Sequence, residues 1–214
     1  MKAIFLIGFL TTVLSILTGC ASDTSLNKAA SQGDTAAVQV LLKRGVNVDQ
    51  KNGAGLTALM RASWNGHTAT ARLLIEKGAV LNSKDEYGHT ALMMAAKNGH
   101  TETLRTLLEK GADINTTALW EITALMYATA NNQFDATKLL LEKGADVNAK
   151  SAKDETALIK ALKHGDGNVD IVKLLVGTGA DLNAKDKDGN TALSLAIEKN
   201  RTDAINFLRE AGAR

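Results

Sequence analysis

The side chains that could carry chemistry are few, and their spacing does not assemble a metal site. The chain has four histidines, one cysteine and no proline. His67, His89 and His100 each follow a glycine, and His164 precedes one. None of the four has a second His or Cys at the spacing of zinc ligands. The sequence therefore predicts neither a metal ion nor another cofactor.

Three glycine-containing segments imitate binding loops without completing them. Residues 186–190, Asp-Lys-Asp-Gly-Asn, begin like a calcium loop, but Thr191 stands where the sixth-position glycine is needed. Segments 165–167 and 177–179 have the form Gly-x-Gly but continue neither to a third glycine nor to Gly-Lys-Ser/Thr. A Gly-x-Ser-x-Gly nucleophile elbow is absent from the sequence. Segment 186–190 is therefore predicted to be the tip of a hairpin.

The charged residues also favour a non-catalytic protein. Repeated carboxylates stand at helix ends that are expected to be solvated, at Glu76, Glu109 and Glu142. Lys plus Arg number 25 and Asp plus Glu number 23, so the chain lacks the basic excess of a nucleic-acid platform. No catalytic residue is predicted, the chain is not expected to be an enzyme, and no nucleic-acid partner is expected.

The elements that position these residues repeat along the chain. Thr-Ala-Leu recurs at spacings of 33, 33, 33 and 35 residues, at Thr57, Thr90, Thr123, Thr156 and Thr191. A glycine recurs 21 residues after each of these threonines, or 23 residues after Thr156 in the longer unit, and Gly45 places a sixth, degenerate unit at Thr24. Such a period indicates a repeat protein. The predicted units are 24–56, 57–89, 90–122, 123–155, 156–190 and 191–214.

The third unit shows what one period contains. Thr90 is placed to cap a short helix over 91–97, and a second helix is predicted over about 101–110. Gly111 follows at the usual position of a left-handed helix cap. The second helix has one apolar face, with Leu104, Leu107 and Leu108. Neither helix can bury its apolar face alone, so neighbouring units must stack.

These markers together resemble the ankyrin-repeat family over roughly residues 24–214. They are Thr-x-Leu, Ala-Ala, Gly-His, Leu-Leu and Gly-Ala-Asp-x-Asn. The resemblance implies an all-α repeat fold, an ankyrin solenoid of helix–turn–helix units joined by β-hairpin loops, and a role in binding proteins. It also implies that His67 and His100 tie the turn between two helices to the backbone.

The chain departs from the family pattern in two respects. The Thr-Pro-Leu-His of the family has alanine in place of proline in five units. Alanine has the best helix propensity, so the fold expectation is unchanged. The fifth unit has two extra residues within 163–168, which are predicted to lengthen the turn between its helices.

The first 19 residues are distinct from the repeats. Lys2 precedes an almost uninterrupted apolar run over 3–17, as in a signal peptide. Residues 17–20, Leu-Thr-Gly-Cys, resemble the lipobox of bacterial lipoproteins. The resemblance implies cleavage before Cys20, lipidation of Cys20 and a short tether over 20–23. Ala21, in place of the aspartate of the inner-membrane retention pattern, favours the outer membrane over the inner membrane.

Two alternatives for this segment stay open. One is an uncleaved membrane anchor, although the apolar run is short against the ~20 residues that span a bilayer. The other is a secretory signal without lipidation, which would leave Cys20 as a free thiol.

The family resemblance also predicts a partner-binding face. In ankyrin proteins the hairpin tips and the outer ends of the first helices form a concave surface on which partner contacts concentrate. Exposed tryptophan and tyrosine are favoured interface anchors, and a contiguous exposed apolar patch usually marks a binding site. The predicted partner-binding residues are Leu56, Trp64, Tyr87, His89, Lys97, Leu119, Trp120 and Ile122. The alternative is that Trp120 and Ile122 fill an irregular hairpin, because Glu121 replaces the usual tip glycine.

The sequence thus predicts a lipid-anchored protein that mediates protein–protein interaction in the bacterial periplasm. By resemblance it is either a helper of a periplasmic enzyme or an immunity protein that neutralises a toxin. The alternative is an enzyme or ligand-binding lipoprotein with a site in the concave groove. That alternative requires a convergent polar cluster, whereas the repeat pattern leads us to expect mostly apolar and single charged residues there.

Overall fold

A computed structural model describes residues 24–214. The predicted signal peptide over 1–19 and the predicted tether over 20–23, including Cys20, lie outside the described residues. Within 24–214, none of the helices combines the length and the apolar character needed to cross a membrane.

Twelve α-helices, alternately seven and nine residues long, form the described part of the chain. They are α1 Ser25–Ser31, α2 Thr35–Lys43, α3 Ala58–Trp64, α4 Thr68–Glu76, α5 Ala91–Lys97, α6 Thr101–Glu109, α7 Ala124–Ala130, α8 Phe134–Glu142, α9 Ala157–Lys163, α10 Val169–Gly177, α11 Ala192–Glu198 and α12 Thr202–Glu210. A 3-10 turn spans Leu119–Glu121. No strand occurs in residues 24–214, and the predicted hairpin loops are tight turns.

A threonine fixes where each seven-residue helix begins. Its side-chain oxygen accepts a hydrogen bond from the backbone N–H three residues later, at 3.1–3.4 Å. An N-cap of this kind stabilises a helix by about 1 kcal/mol. The capping residues are Thr24, Thr57, Thr90, Thr123, Thr156 and Thr191. The cap predicted at Thr90 is therefore confirmed.

The helices form two layers. Each seven-residue helix contacts the seven-residue helices of the units before and after it, and the nine-residue helices contact one another in the same way. The core lies between the layers and contains fully buried leucines such as Leu104 and Leu107. Leu108 is only partly buried against this core.

Two histidines join consecutive units. The Nε2 atom of His67 lies 3.0 Å from the carbonyl oxygen of Ser31, and that of His100 lies 2.9 Å from the carbonyl oxygen of Trp64. The predicted structural role is confirmed, and the link runs to the end of the first helix in the preceding unit. Gly66 is required beneath the ring, because a Cβ atom there would lie 2.5 Å from Nδ1 of His100.

The insertion in the fifth unit lengthens the turn between its helices, as predicted. Five residues, 164–168, separate α9 from α10, whereas three residues, 98–100, separate α5 from α6. The side chain of Asn168 caps α10 by accepting a hydrogen bond from the backbone N–H of Asp170 at 2.9 Å. The stack therefore continues past the insertion.

Candidate partner-binding face

The loop tips form a row along one side of the stack. Backbone hydrogen bonds connect consecutive tips, from Leu119 N–H to Tyr87 O at 2.9 Å and from Ala152 N–H to Trp120 O at 2.8 Å. The tips and the first helices of the units together line two grooves. We call this side of the stack the inner face. It corresponds to the surface that the family resemblance predicts to be concave.

A capping side chain shapes most of these tips. In the second unit the Asp85 carboxylate accepts hydrogen bonds from the backbone N–H groups of Tyr87 and His89, at 2.9 and 2.8 Å. Such a side-chain turn fixes the loop conformation. Equivalent bonds are made by Asn52 and Asp186 in their own loops.

The tip of the third unit, 90–122, lacks this cap. Ala118 stands at the position of Asp85 and has no side-chain acceptor, and the loop adopts the 3-10 turn instead. Trp120 and Glu121 there both have positive φ values, 64° and 57°. This tip is therefore irregular, as the alternative interpretation predicted. However, Trp120 is 72% exposed, so its indole does not fill the tip.

The first groove lies between the second and third units and has a volume of about 290 Å³. We call it the aromatic groove. Its lining residues are Leu56, Arg61, Trp64, Asp85, Tyr87, His89, Met94 and Lys97. Tyr87 is 60% exposed and Trp64 is 40% exposed.

A chain of hydrogen bonds fixes the floor of the aromatic groove. His89 Nδ1 lies 3.0 Å from Asp85 Oδ2, and His89 Nε2 lies 2.8 Å from the hydroxyl of Tyr127. In the neutral imidazole, Nδ1–H donates to the carboxylate and Nε2 accepts from the hydroxyl. Burial and the negative charge of Asp85 raise the pKa of Tyr127. The phenol is therefore protonated at neutral pH and serves as a hydrogen-bond donor rather than a nucleophile.

Lys97 occupies the wall of the same groove. Its Nζ atom lies 5.3 Å from the ring centroid of Trp64 and 5.8 Å from that of Tyr127. These distances are typical of cation–π interactions. Within residues 24–214, Lys97 forms no ion pair with a carboxylate.

The second groove lies at the tips of the third and fourth units, beside α9, and has a volume of about 430 Å³. We call it the ionic groove. Its lining residues are Trp120, Ile122, Ser151, Lys153, Glu155, Lys160, Lys163 and His164.

Buried ion pairs form one wall of the ionic groove. The Glu155 carboxylate pairs with Lys160 and, at 2.9 Å, with Lys163. Lys163 also lies 3.0 Å from Asp186 Oδ2 in the next tip. The side chains of Glu155 and Asp186 are only 2% and 1% exposed. Together Glu155, Lys160, Lys163 and Asp186 form what we call the ionic cluster.

The lysines keep both buried carboxylates ionised. Burial alone would raise the pKa of Glu155, but hydrogen bonds and charges from Lys160 and Lys163 outweigh it and lower the pKa. Burial likewise opposes ionisation of Asp186, whereas hydrogen bonds from Lys163 and Asn190 lower its pKa to about 2. The hydrogen bonds to Glu155 and Asp186 raise the pKa of Lys163 above its ordinary value.

The expectation of single charges on this face was wrong. The structure brings Glu155, Lys160, Lys163 and Asp186 together because Glu155, at the end of the fourth unit, and Asp186, in the tip that ends the fifth unit, both face α9. The repeat positions could have indicated this contact, because Lys163 is seven residues after its capping threonine and Asp186 is five residues before the next capping threonine. The carboxylates and lysines satisfy one another. No group of three possible metal ligands occurs in the part of the chain that the structure describes.

The predicted partner-binding residues fall into two places. Leu56, Trp64, Tyr87, His89 and Lys97 line the aromatic groove, and Trp120 and Ile122 line the ionic groove. Leu119 is 52% exposed at the tip of the third unit and lines neither groove.

Besides the residues of the ionic cluster, the sequence analysis missed Arg61, Met94 and Tyr127 on the helices of the inner face. Each stands four residues after its capping threonine. That position lies one helical turn before the position of Trp64 and Lys97, on the same helix face. The helical period could therefore have revealed all three.

Comparisons with known proteins give a consistent result. A family model described as ankyrin repeats (3 copies) matches residues 1–85, 26–118, 81–151 and 125–214. A search of curated proteins found no match. One similar solved structure is the ankyrin repeat domain of Bcl-3, described as a unique member of the IkappaB protein family. It has a TM-score of 0.79 and 30% identity, and the match covers 91% of this chain and 88% of that chain. Another is an ankyrin repeat domain from Acinetobacter baumannii AYE, with a TM-score of 0.79, 32% identity, and coverage of 88% and 98%.

Proposed function

Because this chain belongs to the ankyrin-repeat family, whose repeats generally mediate protein–protein interaction, we propose that it is a scaffold that binds a protein partner through its inner face. The observation that carries the proposal is the exposure of Trp64, Tyr87 and Trp120 on that face. Large aromatic side chains at exposed positions are enriched among the residues that contribute most to interfaces.

The backbone beneath these side chains supports this role. Tyr87 stands on a tip that the Asp85 carboxylate holds through two backbone N–H groups, and Trp64 ends α3. Side chains held in place before binding lose less conformational entropy when the partner arrives. The tips therefore present anchors that are already ordered.

The location of the scaffold is a second part of the proposal. The lipobox-like segment over 17–20 supports lipidation of Cys20 and a position facing the bacterial periplasm, with the outer membrane favoured over the inner membrane. α1 begins at Ser25. At ~3.3–3.6 Å per extended residue, the tether places the stack within about 20 Å of the membrane. The partner would then be a periplasmic enzyme that needs a helper, or a toxin that must be neutralised.

The alternative of an enzyme or ligand-binding lipoprotein has less support. It required a convergent polar cluster, and the ionic cluster is one. However, its two carboxylates are already paired with Lys160 and Lys163, which leaves no free acid–base pair beside a nucleophile. The ankyrin fold is also typically a non-enzymatic interaction scaffold.

Site-specific photo-crosslinking in intact cells tests the interaction. A photoreactive amino acid is placed in the full chain at Tyr87, at Trp120 or, as a control, at the exposed Lys138 on α8. We expect the same discrete protein to be crosslinked from the two inner-face positions and not from Lys138. Crosslinking from Lys138 alone, or from none of the three, would contradict the proposal.

The membrane anchor has its own test. In Cys20→Ser, we expect the protein to leave the membrane fraction or to accumulate as unprocessed precursor, because lipobox processing needs the thiol and the chain has no other cysteine. A variant that is still processed and still sediments with membranes would show that the chain is not a lipoprotein.

A further inference from the structure

We infer that the aromatic groove binds an acidic peptide segment of the partner, with a carboxylate at Lys97 and an aromatic or aliphatic side chain between Trp64 and Tyr87. This inference rests on the proposed function and gives the partner a chemical class. It is carried by three features of the groove: the state of Lys97, the shape of the walls and the balance of charge.

Lys97 is a cation that is held in place without being neutralised. The rings of Trp64 and Tyr127 lie 5.3 and 5.8 Å from its Nζ atom, and the chain of hydrogen bonds through His89 fixes Tyr127. No carboxylate within 24–214 pairs with Lys97. An ammonium group has three donors. Lys97 therefore retains donors for a carboxylate that comes from outside.

The walls of the groove fit a side chain of the partner. Leu56, Trp64, Tyr87 and Met94 supply the apolar surface. The volume of about 290 Å³ lies at the lower end of the range for small-molecule pockets. The groove is open to solvent between a tip and a helix, and so suits an anchor side chain on a continuous peptide.

The charge of the lining selects the sign of that peptide. Arg61 and Lys97 are the two lining cations, and Asp85 is the only lining carboxylate. Two backbone N–H groups and the imidazole of His89 already bind Asp85, and its side chain is 5% exposed. A basic segment would therefore meet the like charge of Lys97 and no accessible carboxylate, whereas an acidic segment is attracted.

Selection from a random displayed peptide library tests the inference. The full chain in detergent is the bait. We expect the selected peptides to combine Asp or Glu with an aromatic or aliphatic residue, and to lose about tenfold or more in affinity when their acids become amides. Enrichment of basic peptides, or of apolar peptides whose acids can be replaced without loss, would overturn the inference.

Matched variants locate the binding site of a selected peptide. Lys97→Met keeps the aliphatic stem against the rings but removes the charge, and is expected to weaken binding about tenfold. Lys97→Arg is expected to bind well, and Lys153→Gln, at an exposed lysine outside the aromatic groove, is expected to have no effect. Equal binding by Lys97→Met and the unchanged chain, with both folded by circular dichroism, would refute the assignment to Lys97.

The library and the crosslinking experiment can fail separately. If Tyr87 crosslinks a protein in cells but the library yields no acidic peptides, the inference about the peptide is wrong and the proposed function stands. If neither experiment gives a specific product, both are wrong.

Discussion

Lys97 and Lys163 occupy the same position in their units, seven residues after the capping threonine at the end of a first helix, yet their surroundings are opposite. Lys97 lies over two aromatic rings without a carboxylate, whereas Lys163 lies between Glu155 and Asp186. The lysine at this position of the repeat can therefore be available to a partner in one unit and paired with carboxylates of the same chain in another.

The neighbouring residues decide between these two outcomes. The residue directly before the capping threonine of the helix is His89 for Lys97 and Glu155 for Lys163. The residue five before the next capping threonine is Ala118 for Lys97 and Asp186 for Lys163. The two positions that carry the carboxylates paired with Lys163 are thus a histidine and an alanine in the case of Lys97. The repeat backbone determines which positions are adjacent, and the side chains at a few of these positions determine whether the lysine is paired within the chain.

The two grooves should then differ in how much they contribute to stability and to partner binding. Removing one partner of a buried ion pair lowers the free energy of unfolding by several kcal/mol, because the remaining buried charge is left without compensation. Exposed aromatic side chains contribute little to folding and much to binding. We therefore expect the ionic cluster to matter for folding and the aromatic groove for recognition.

The largest expected effect is that of Lys163→Met. It leaves Asp186 without its lysine and Glu155 with only Lys160, so we expect a loss of ~3–5 kcal/mol in the free energy of unfolding. Lys97→Met, at the matched position, should cost about 1 kcal/mol or less, because it removes only cation–π contacts. Chemical denaturation of both variants measures the difference. Equal losses would show that the two lysines do not play different roles.

A cavity in the core is expected to come next. Leu107→Ala removes a fully buried side chain and should lower the free energy of unfolding by ~2–5 kcal/mol. Trp64→Ala and Trp120→Ala should cost ~1 kcal/mol or less but weaken partner binding by ~2 kcal/mol or more each. Denaturant melts and one co-purification assay provide the comparison. If the tryptophan variants unfold as easily as the Leu107 variant, these rings belong to the core.

Acid should destabilise the fold through the ionic cluster. The folded pKa of Asp186, about 2, lies below its ordinary value of 3.8. Ionisation of Asp186 therefore stabilises the fold fully above pH 3.8, and this stabilisation is lost as the pH falls towards 2. Its size is about 2 kcal/mol, from 1.36 kcal/mol per pKa unit. Glu155, whose pKa is also lowered, adds to the loss.

Unfolding curves measured between pH 5 and pH 2 test this expectation. The free energy of unfolding should fall less steeply with acid in Asp186→Asn than in the unchanged chain, because the amide does not titrate. An identical pH dependence in both proteins would mean that Asp186 is not held in its ionised form by Lys163.

Comparison of sequence and structure shows where prediction works. Helix starts were predictable because a threonine cap is a local signal, as at Thr90, and the units were found through a period that recurs along the chain. The link through His100 followed from the family pattern. The ionic cluster was missed because Lys163 and Asp186 lie 23 residues apart and Glu155 belongs to the preceding unit, 123–155. The separation of Trp120 from Trp64 was also missed, since a groove is built by one pair of units whereas the repeat treats all units alike.

The smallest expected effect is that of deleting Asp166 and Gly167. These residues lie in the long turn that follows Lys163 and His164, so the deletion shortens the backbone beside the ionic cluster without removing any of its side chains. Loop length contributes weakly to stability, and a change of two residues should alter the free energy of unfolding by less than about 0.5 kcal/mol. Arg201 donates to the carbonyl oxygen of Gly165 at 3.4 Å, and the deletion leaves that residue in place. A melting temperature that falls by tens of degrees would mean that the turn, and not the ion pairs alone, holds this half of the inner face together.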